Sequence, residues 1–301
     1  MQNFAELEIN IKSIIDDLKG LCSTNGLSNT AGEEIVVTSV FLYKFLNDKF
    51  IYNLHKFANE LGITYDELIA NKEDYMDAFY DTYPQDVAFA YEDTIDYLVQ
   101  SVSDKDFYKT FDDTLIRISS YPKNDAFNID TAEGTKKPLF TPLSTYVEPS
   151  KRNAFAQNIF SYITRDRFDF GIVNEGNYDF FSTIFEYLIS DYNVASGKYA
   201  EYFTPQALSS AIAKILVHMS PIKDTIYDIY DPSAGSGSLV LHLANELGNG
   251  KFGNKARVYT QDISQKSSRF LRINMLLNGL KESLENIIEG DIWFYNIQST
   301  F

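Results

Sequence analysis

Between residues 225 and 289 this 301-residue chain alternates short β-branched and aromatic runs with helical stretches, which restricts that part to a parallel α/β sheet. The runs are Thr225 to Tyr230, Ala256 to Gln261 and Glu285 to Glu289. Between them lie Leu239 to Leu247, stopped by Gly248, and Gln265 to Leu277, with Ser264 as N-cap and Gly279 as stop. The order β-α-β-α-β predicts the first half of a doubly wound sheet. Ligands of such sheets sit outside the carboxyl ends of the strands, so the residues just after each run are the ones to search.

Upstream the period changes. Leu7, Ile11, Ile14, Ile15 and Leu18 recur at three and four ahead of Gly20, which predicts an amphipathic helix with a glycine stop. Residues 33–57, EEIVVTSVFLYKFLNDKFIYNLHKF, predict the central buried helix of a bundle, with the aromatics as core. Residues 119–150 hold four prolines among polar turn residues and read as a long irregular connection or flap. Helical signals resume at 151–164 and 178–192. The expected organisation is an α-helical bundle domain over residues 1–165 followed by an α/β domain over 166–301.

Composition narrows the function classes. With 45% hydrophobic residues, including 23 Phe and 21 Tyr, most of the chain should fold. The formal charge of −16 is the wrong sign for a surface that neutralises phosphates throughout. Binding to DNA then needs a locally basic groove or a basic partner, and charge alone favours an acidic protein that never meets nucleic acid. The single Cys22 excludes an intrachain disulfide and points to a reducing, cytoplasmic setting. His55, His218 and His242 are scattered, so no metal site is expected. No run reaches the roughly 18 apolar residues of a membrane span. The start, MQNFAELEINIKSIIDD, carries acids where a secretory signal carries bases.

The stretch Asp231-Pro232-Ser233-Ala234-Gly235-Ser236-Gly237-Ser238 lies where the first strand gives way to a helix. Gly235 and Gly237 allow a tight turn and close approach of a ligand, and the helix start presents N–H groups. Val240 stands where a G-x-G-x-x-G pattern needs its third glycine, which disfavours a pyrophosphate ligand, and no G-x-x-x-x-G-K-[ST] run exists. Asp262 closes the second run and is placed to accept hydrogen bonds from ribose hydroxyls; the plain alternatives are a solvated strand-end aspartate or a helix-start acid. Asp291 follows the third run and is either a ligand for an adenine amino group or an ordinary Gly-Asp turn.

These residues resemble a known family. DPSAGSGSLV is similar to the S-adenosylmethionine motif of adenine-N6 DNA methyltransferases, D-P-x-x-G-S-G with an apolar pair after it. GKYAEYFTP, residues 197–205, resembles the preceding motif, written around G-E-F-Y-T-P, with Ala200 where glycine is usual. There Thr204 as N-cap and Pro205 as first helical residue would fix Tyr202 and Phe203 at a helix start, where they can wall a cofactor. TQDIS, RINMLLNG and GDIW resemble the family's ribose-binding acid, the helix after it and the adenine-contacting Gly-Asp. EEIVVTSVFLYKFLNDKF resembles the amino-terminal domain of type I modification subunits.

The resemblance implies a Rossmann-like methyltransferase fold with S-adenosyl-L-methionine as cofactor. It assigns the cofactor to Tyr202, Phe203, Thr204, Asp231, Pro232, Ser233, Gly235, Ser236, Gly237, Asp262, Ile263 and Asp291. It further implies methyl transfer to adenine N6 in duplex DNA, in a complex with a second modification subunit, a specificity subunit and a restriction subunit.

One family element has no counterpart. The catalytic [DNS]-P-P-[YFW] is missing, since none of the eight prolines adjoins another, and ten residues follow Asp291. The expectation is therefore a sheet incomplete in its C-terminal half, with no catalytic residue in this chain. The edge of the first strand would be left to another chain, an oligomer contact or local rearrangement. A non-catalytic cofactor-binding or assembly module is the second reading. A third is another small-molecule or RNA methyltransferase, or a dinucleotide enzyme on the same half-fold.

Overall fold

The computed structural model describes residues 4–84, 86–130, 136–164, 169–173, 180, 183–188, 204–219, 225–248 and 256–291. Two compact units emerge, residues 1–125 with 140–175 and residues 126–139 with 176–301.

The first unit is helical. Helix α1, Phe4–Thr24, runs straight through Gly20, where the sequence predicts a stop. Leu18, Leu21 and Cys22 are all buried, so the apolar stripe continues past the glycine. Its packing outweighs the ~1 kcal/mol that a glycine costs inside a helix. Helix α2, Ala31–Leu61, is the expected central helix: Thr30 caps it by accepting the Glu33 N–H, and Val36, Val37, Val40, Tyr43 and Leu54 are fully covered. Helices α3 (Tyr65–Ala70), α4 (Lys72–Thr82), α5 (Ile95–Leu98), α6 (Phe107–Ser120) and α7 (Arg152–Ile163) follow.

Aromatic rings dominate this core. Phe50 meets Phe79 edge-on and stacks on Phe89, both at 5.6 Å, while Phe160 meets Phe107 and Phe111 edge-on at 4.7 and 5.0 Å. Such pairs contribute about 0.5–1.5 kcal/mol each beyond the area they bury. Two buried carboxylates tie loops to it. Asp93 accepts from Arg117 Nε at 2.7 Å, the Tyr121 hydroxyl at 2.6 Å and the Ala90 N–H at 3.1 Å. Asp112 accepts the Leu143 and Ser144 N–H groups and the Ser144 hydroxyl, fastening part of the proline-rich connection to α6.

The second unit is α/β. Its elements in order are the antiparallel pair β1 (Ile129–Asp130) and β2 (Lys136–Lys137), then α8 (Gln206–Met219), β3 (Tyr227–Asp231), α9 (Ser238–Leu247), β4 (Ala256–Asp262), α10 (Gln265–Leu277) and β5 (Ile287–Glu289). The sheet order is β3-β4-β5, all parallel, with Ile229 opposite Val258 and Thr260 opposite Ile287. Ser264 caps α10 by accepting the Ser267 N–H, and α9 ends at Gly248. The third strand is shorter than its sequence run, because Glu285 and Asn286 close a 3-10 turn, Lys281–Asn286. The pair β1–β2, drawn from the connection read as irregular, lies beside β5. Among the described residues no strand pairs with the outer edge of β3, and no helix is long and apolar enough to cross a membrane.

Candidate functional site at the strand ends

The carboxyl ends of β3, β4 and β5 meet at Asp262. Its Oδ2 accepts the Gly235 N–H at 2.9 Å, its Oδ1 accepts the Ser264 N–H at 2.8 Å, and its backbone carbonyl accepts the Gly290 N–H at 3.0 Å. One residue thus joins the turn after β3, the start of α10 and the turn after β5. Its neighbour Gln261, fully buried, reinforces the junction by receiving the Tyr230 hydroxyl at 3.3 Å and donating Nε2 to the Gly290 carbonyl at 3.3 Å.

The glycine turn is held almost peptide by peptide. Ser233 donates its N–H to Asp231 Oδ1 at 2.9 Å, Ala234 to the Gln261 carbonyl at 3.1 Å, Gly235 to Asp262, and Gly237 to the Ala234 carbonyl at 2.8 Å. Four of the five N–H groups from 233 to 237 are therefore engaged inside the protein. An anion nest needs those groups pointing at its ligand, so within the turn itself few N–H groups are left to cradle a phosphate.

Gly237 has a different reason from the one its motif implies. It sits at φ +84°, and a Cβ there would lie 2.3 Å from Leu271 Cδ1 of α10. The missing side chain makes room for a helix packed behind the turn, in addition to permitting the backbone path.

The rim is acidic. Burial pushes the Asp231 carboxyl above its ordinary value and the negative charge of Asp262 pushes the same way, against the Ser233 N–H, which favours the charged form. Two carboxylates at adjoining strand ends favour a ligand that brings positive charge and hydroxyl donors. Each Asp262 oxygen accepts one backbone N–H and retains further acceptor capacity.

Of the residues singled out from sequence, Asp231, Pro232, Ser233, Gly235, Ser236, Gly237, Asp262, Ile263 and Asp291 gather at these strand ends. Pro232 and Ser233 are exposed and Ile263 is 71% exposed, whereas Ser236 is buried. Thr204 is described just ahead of α8. The first helical bond there, from the Ser209 N–H, goes to the Pro205 carbonyl, so Pro205 rather than Thr204 occupies the cap position. Tyr202 and Phe203 lie outside the described residues. Sequence reasoning passed over Gln261, Leu271 and Asn274. The signal for Asn274 was an amide in the otherwise apolar run from Ile273 to Leu277.

Residues 176–299 match the sequence profile of the N-6 DNA methylase family. A stretch of 114 residues is 38% identical to the type I restriction enzyme MpnII methylase subunit of Mycoplasma pneumoniae, covering 38% of this chain and 20% of that protein. The fold is similar to a crystal structure of a type I restriction-modification system methyltransferase subunit from Streptococcus thermophilus, with a TM-score of 0.71 at 19% identity over 96% of this chain and 60% of that one. The chain thus spans less than two thirds of the length of either relative.

Proposed function

We propose, on the premise that residues 176–299 belong to the N-6 DNA methylase family, that this chain is part of the modification subunit of a type I restriction-modification system. The whole protein transfers a methyl group from S-adenosyl-L-methionine to adenine N6 in duplex DNA. It works beside a second modification subunit, a specificity subunit that reads the sequence and a restriction subunit, in the cytoplasm. The observation that carries this reading is the junction at Asp262, where the glycine turn and the carboxylate are one hydrogen-bonded unit with its N–H groups turned inward.

The residues present fit that cofactor better than a dinucleotide. A sulfonium and an ammonium bring positive charge to a rim carrying Asp231 and Asp262, and ribose hydroxyls find acceptors in Asp262. A pyrophosphate would meet the same two carboxylates and a turn whose N–H groups are largely engaged. In this reading the parallel unit is a Rossmann-like methyltransferase half-sheet. Asp231 faces the cationic part of the cofactor, Asp262 holds the ribose, Asp291 takes the adenine amino group, and Pro232, Ser233 and Ile263 line the cleft, while Thr204, Ser236, Tyr202 and Phe203 are assigned to the same cofactor by the family resemblance alone.

S-adenosylmethionine supplies the methyl group. The part assigned to this chain is to bind and orient it, because no Pro-Pro tetrapeptide able to hold a flipped adenine occurs in the 301 residues. A preparation of these residues is therefore expected to bind cofactor without transferring methyl to DNA. Asp262→Ala should weaken S-adenosylmethionine binding by about 1.5–3 kcal/mol, the range of charge-assisted hydrogen bonds. Calorimetric titration checks this, and wild-type affinity in that variant removes the site assignment.

A further inference from the structure

We propose that Asn274, which lies behind the glycine turn rather than in the cleft, is a positioning residue that sets cofactor affinity through the Ser236 carbonyl. The inference rests on the cofactor reading above. Asn274 is 4% exposed on α10, and its Nδ2 donates to the Ser236 carbonyl at 3.1 Å. One turn later Asn278, also buried, donates its Nδ2 to Asn274 Oδ1 at 3.1 Å and to the Asn274 carbonyl at 2.8 Å. The second amide fixes the orientation of the first: with Oδ1 receiving from Asn278, the donor end of Asn274 faces the turn.

The setting makes a packing role a poor explanation. The neighbours of Asn274 one turn away on α10, Phe270, Leu271 and Leu277, are buried and apolar, so an amide there is accounted for by the carbonyl it satisfies rather than by the space it fills. Leu271, one turn before Asn274, is the side chain that a Cβ at Gly237 would strike. One face of α10 therefore presses Gly237 into place and holds the carbonyl of Ser236. From the other side Asp262 holds Gly235, and it also anchors the start of α10 through Ser264. The path of the turn is set before any ligand arrives, and preorganisation of this kind raises affinity without a new contact to the ligand.

The test uses the 301-residue chain with Asn274→Leu, Asn278→Ala and the double variant, titrated with S-adenosylmethionine by calorimetry alongside ligand-free thermal midpoints. We expect Asn274→Leu to weaken binding about tenfold, the loss of roughly one hydrogen bond's worth of positioning, in a chain that still unfolds cooperatively, with its midpoint lowered by the one buried carbonyl left without a donor. Asn278→Ala should weaken it about threefold alone and by nothing more in the Asn274→Leu background, because it acts only through Asn274. Wild-type affinity in Asn274→Leu, or losses that multiply independently, would overturn the proposal. If Asn274→Leu does not fold, Asn278→Ala decides: a threefold loss at an unchanged midpoint supports it and wild-type affinity overturns it. A wild-type chain that takes up no S-adenosylmethionine defeats the cofactor reading and this inference together, whereas binding that no variant alters defeats this inference alone.

Discussion

Asp231 carries the most specific consequence at the residue scale. Burial and the charge of Asp262 raise its carboxyl above the ordinary value of 3.8, so in the folded chain it keeps its proton to higher pH than in the unfolded one. Its contribution to stability is therefore fully present below that ordinary value and lost as pH rises through the raised one. Binding of a cationic ligand has the opposite sign, since only the charged carboxylate attracts it. Affinity for S-adenosylmethionine should climb with pH as the carboxyl ionises and level off above its raised value. Asp231→Asn should flatten that climb and bind more weakly on the plateau. A titration series over pH for both proteins reads this out, and parallel curves would remove Asp231 from the site. At Gly237 the expectation concerns stability. Gly237→Ala forces a Cβ into Leu271 at a positive φ and should cost about 2–4 kcal/mol of unfolding free energy. Chemical denaturation measures it, and an unchanged midpoint would show that the turn and α10 are not in close contact.

At the scale of elements, α10 is the wall behind the glycine turn and α1 is the helix whose end sequence misplaces. From β3 to β5 the strands, helices and their order are legible from residue patterns because each element is bounded by its own local signal, Ser264 and Gly248 among them, whereas the β1–β2 pair falls in the connection read as irregular. Gly20 misleads because a local signal there meets a tertiary one: Leu21 and Cys22 have buried places waiting, and packing overrides propensity. The hydrogen bonds that organise the site were not legible in the same way. Nothing in the spacing of Asp262 and Gly235 says that the carboxylate binds the turn itself, and Asn274 looks like any polar residue on a helix until the partner carbonyl is seen. The burial of Cys22 also has a measurable effect. Desolvation, with Glu33 nearby, pushes its thiol up to about 12, so at pH 8 it is neutral and enclosed. A thiol reagent should leave it unlabelled in the native chain and modify it stoichiometrically in denaturant, and ready native labelling would mean that the end of α1 is not packed as described.

For the whole molecule, the net charge of −16 and the acidic strand ends fit together. The first unit is a helical body with an aromatic core, and the second is a three-stranded parallel sheet that brings its loops to one point. A net charge of −16 is the wrong sign for a surface that neutralises DNA phosphates throughout. What the second unit provides is an acidic rim and a glycine turn most of whose N–H groups are engaged within the protein. The measurement that tests this most directly is calorimetric titration of the 301-residue chain, in the same buffer, with S-adenosylmethionine and with NAD. Saturable binding of S-adenosylmethionine is expected, with affinity for NAD lower by at least about tenfold, the penalty for setting a pyrophosphate against two carboxylates. Tight NAD binding with no uptake of S-adenosylmethionine would contradict that expectation.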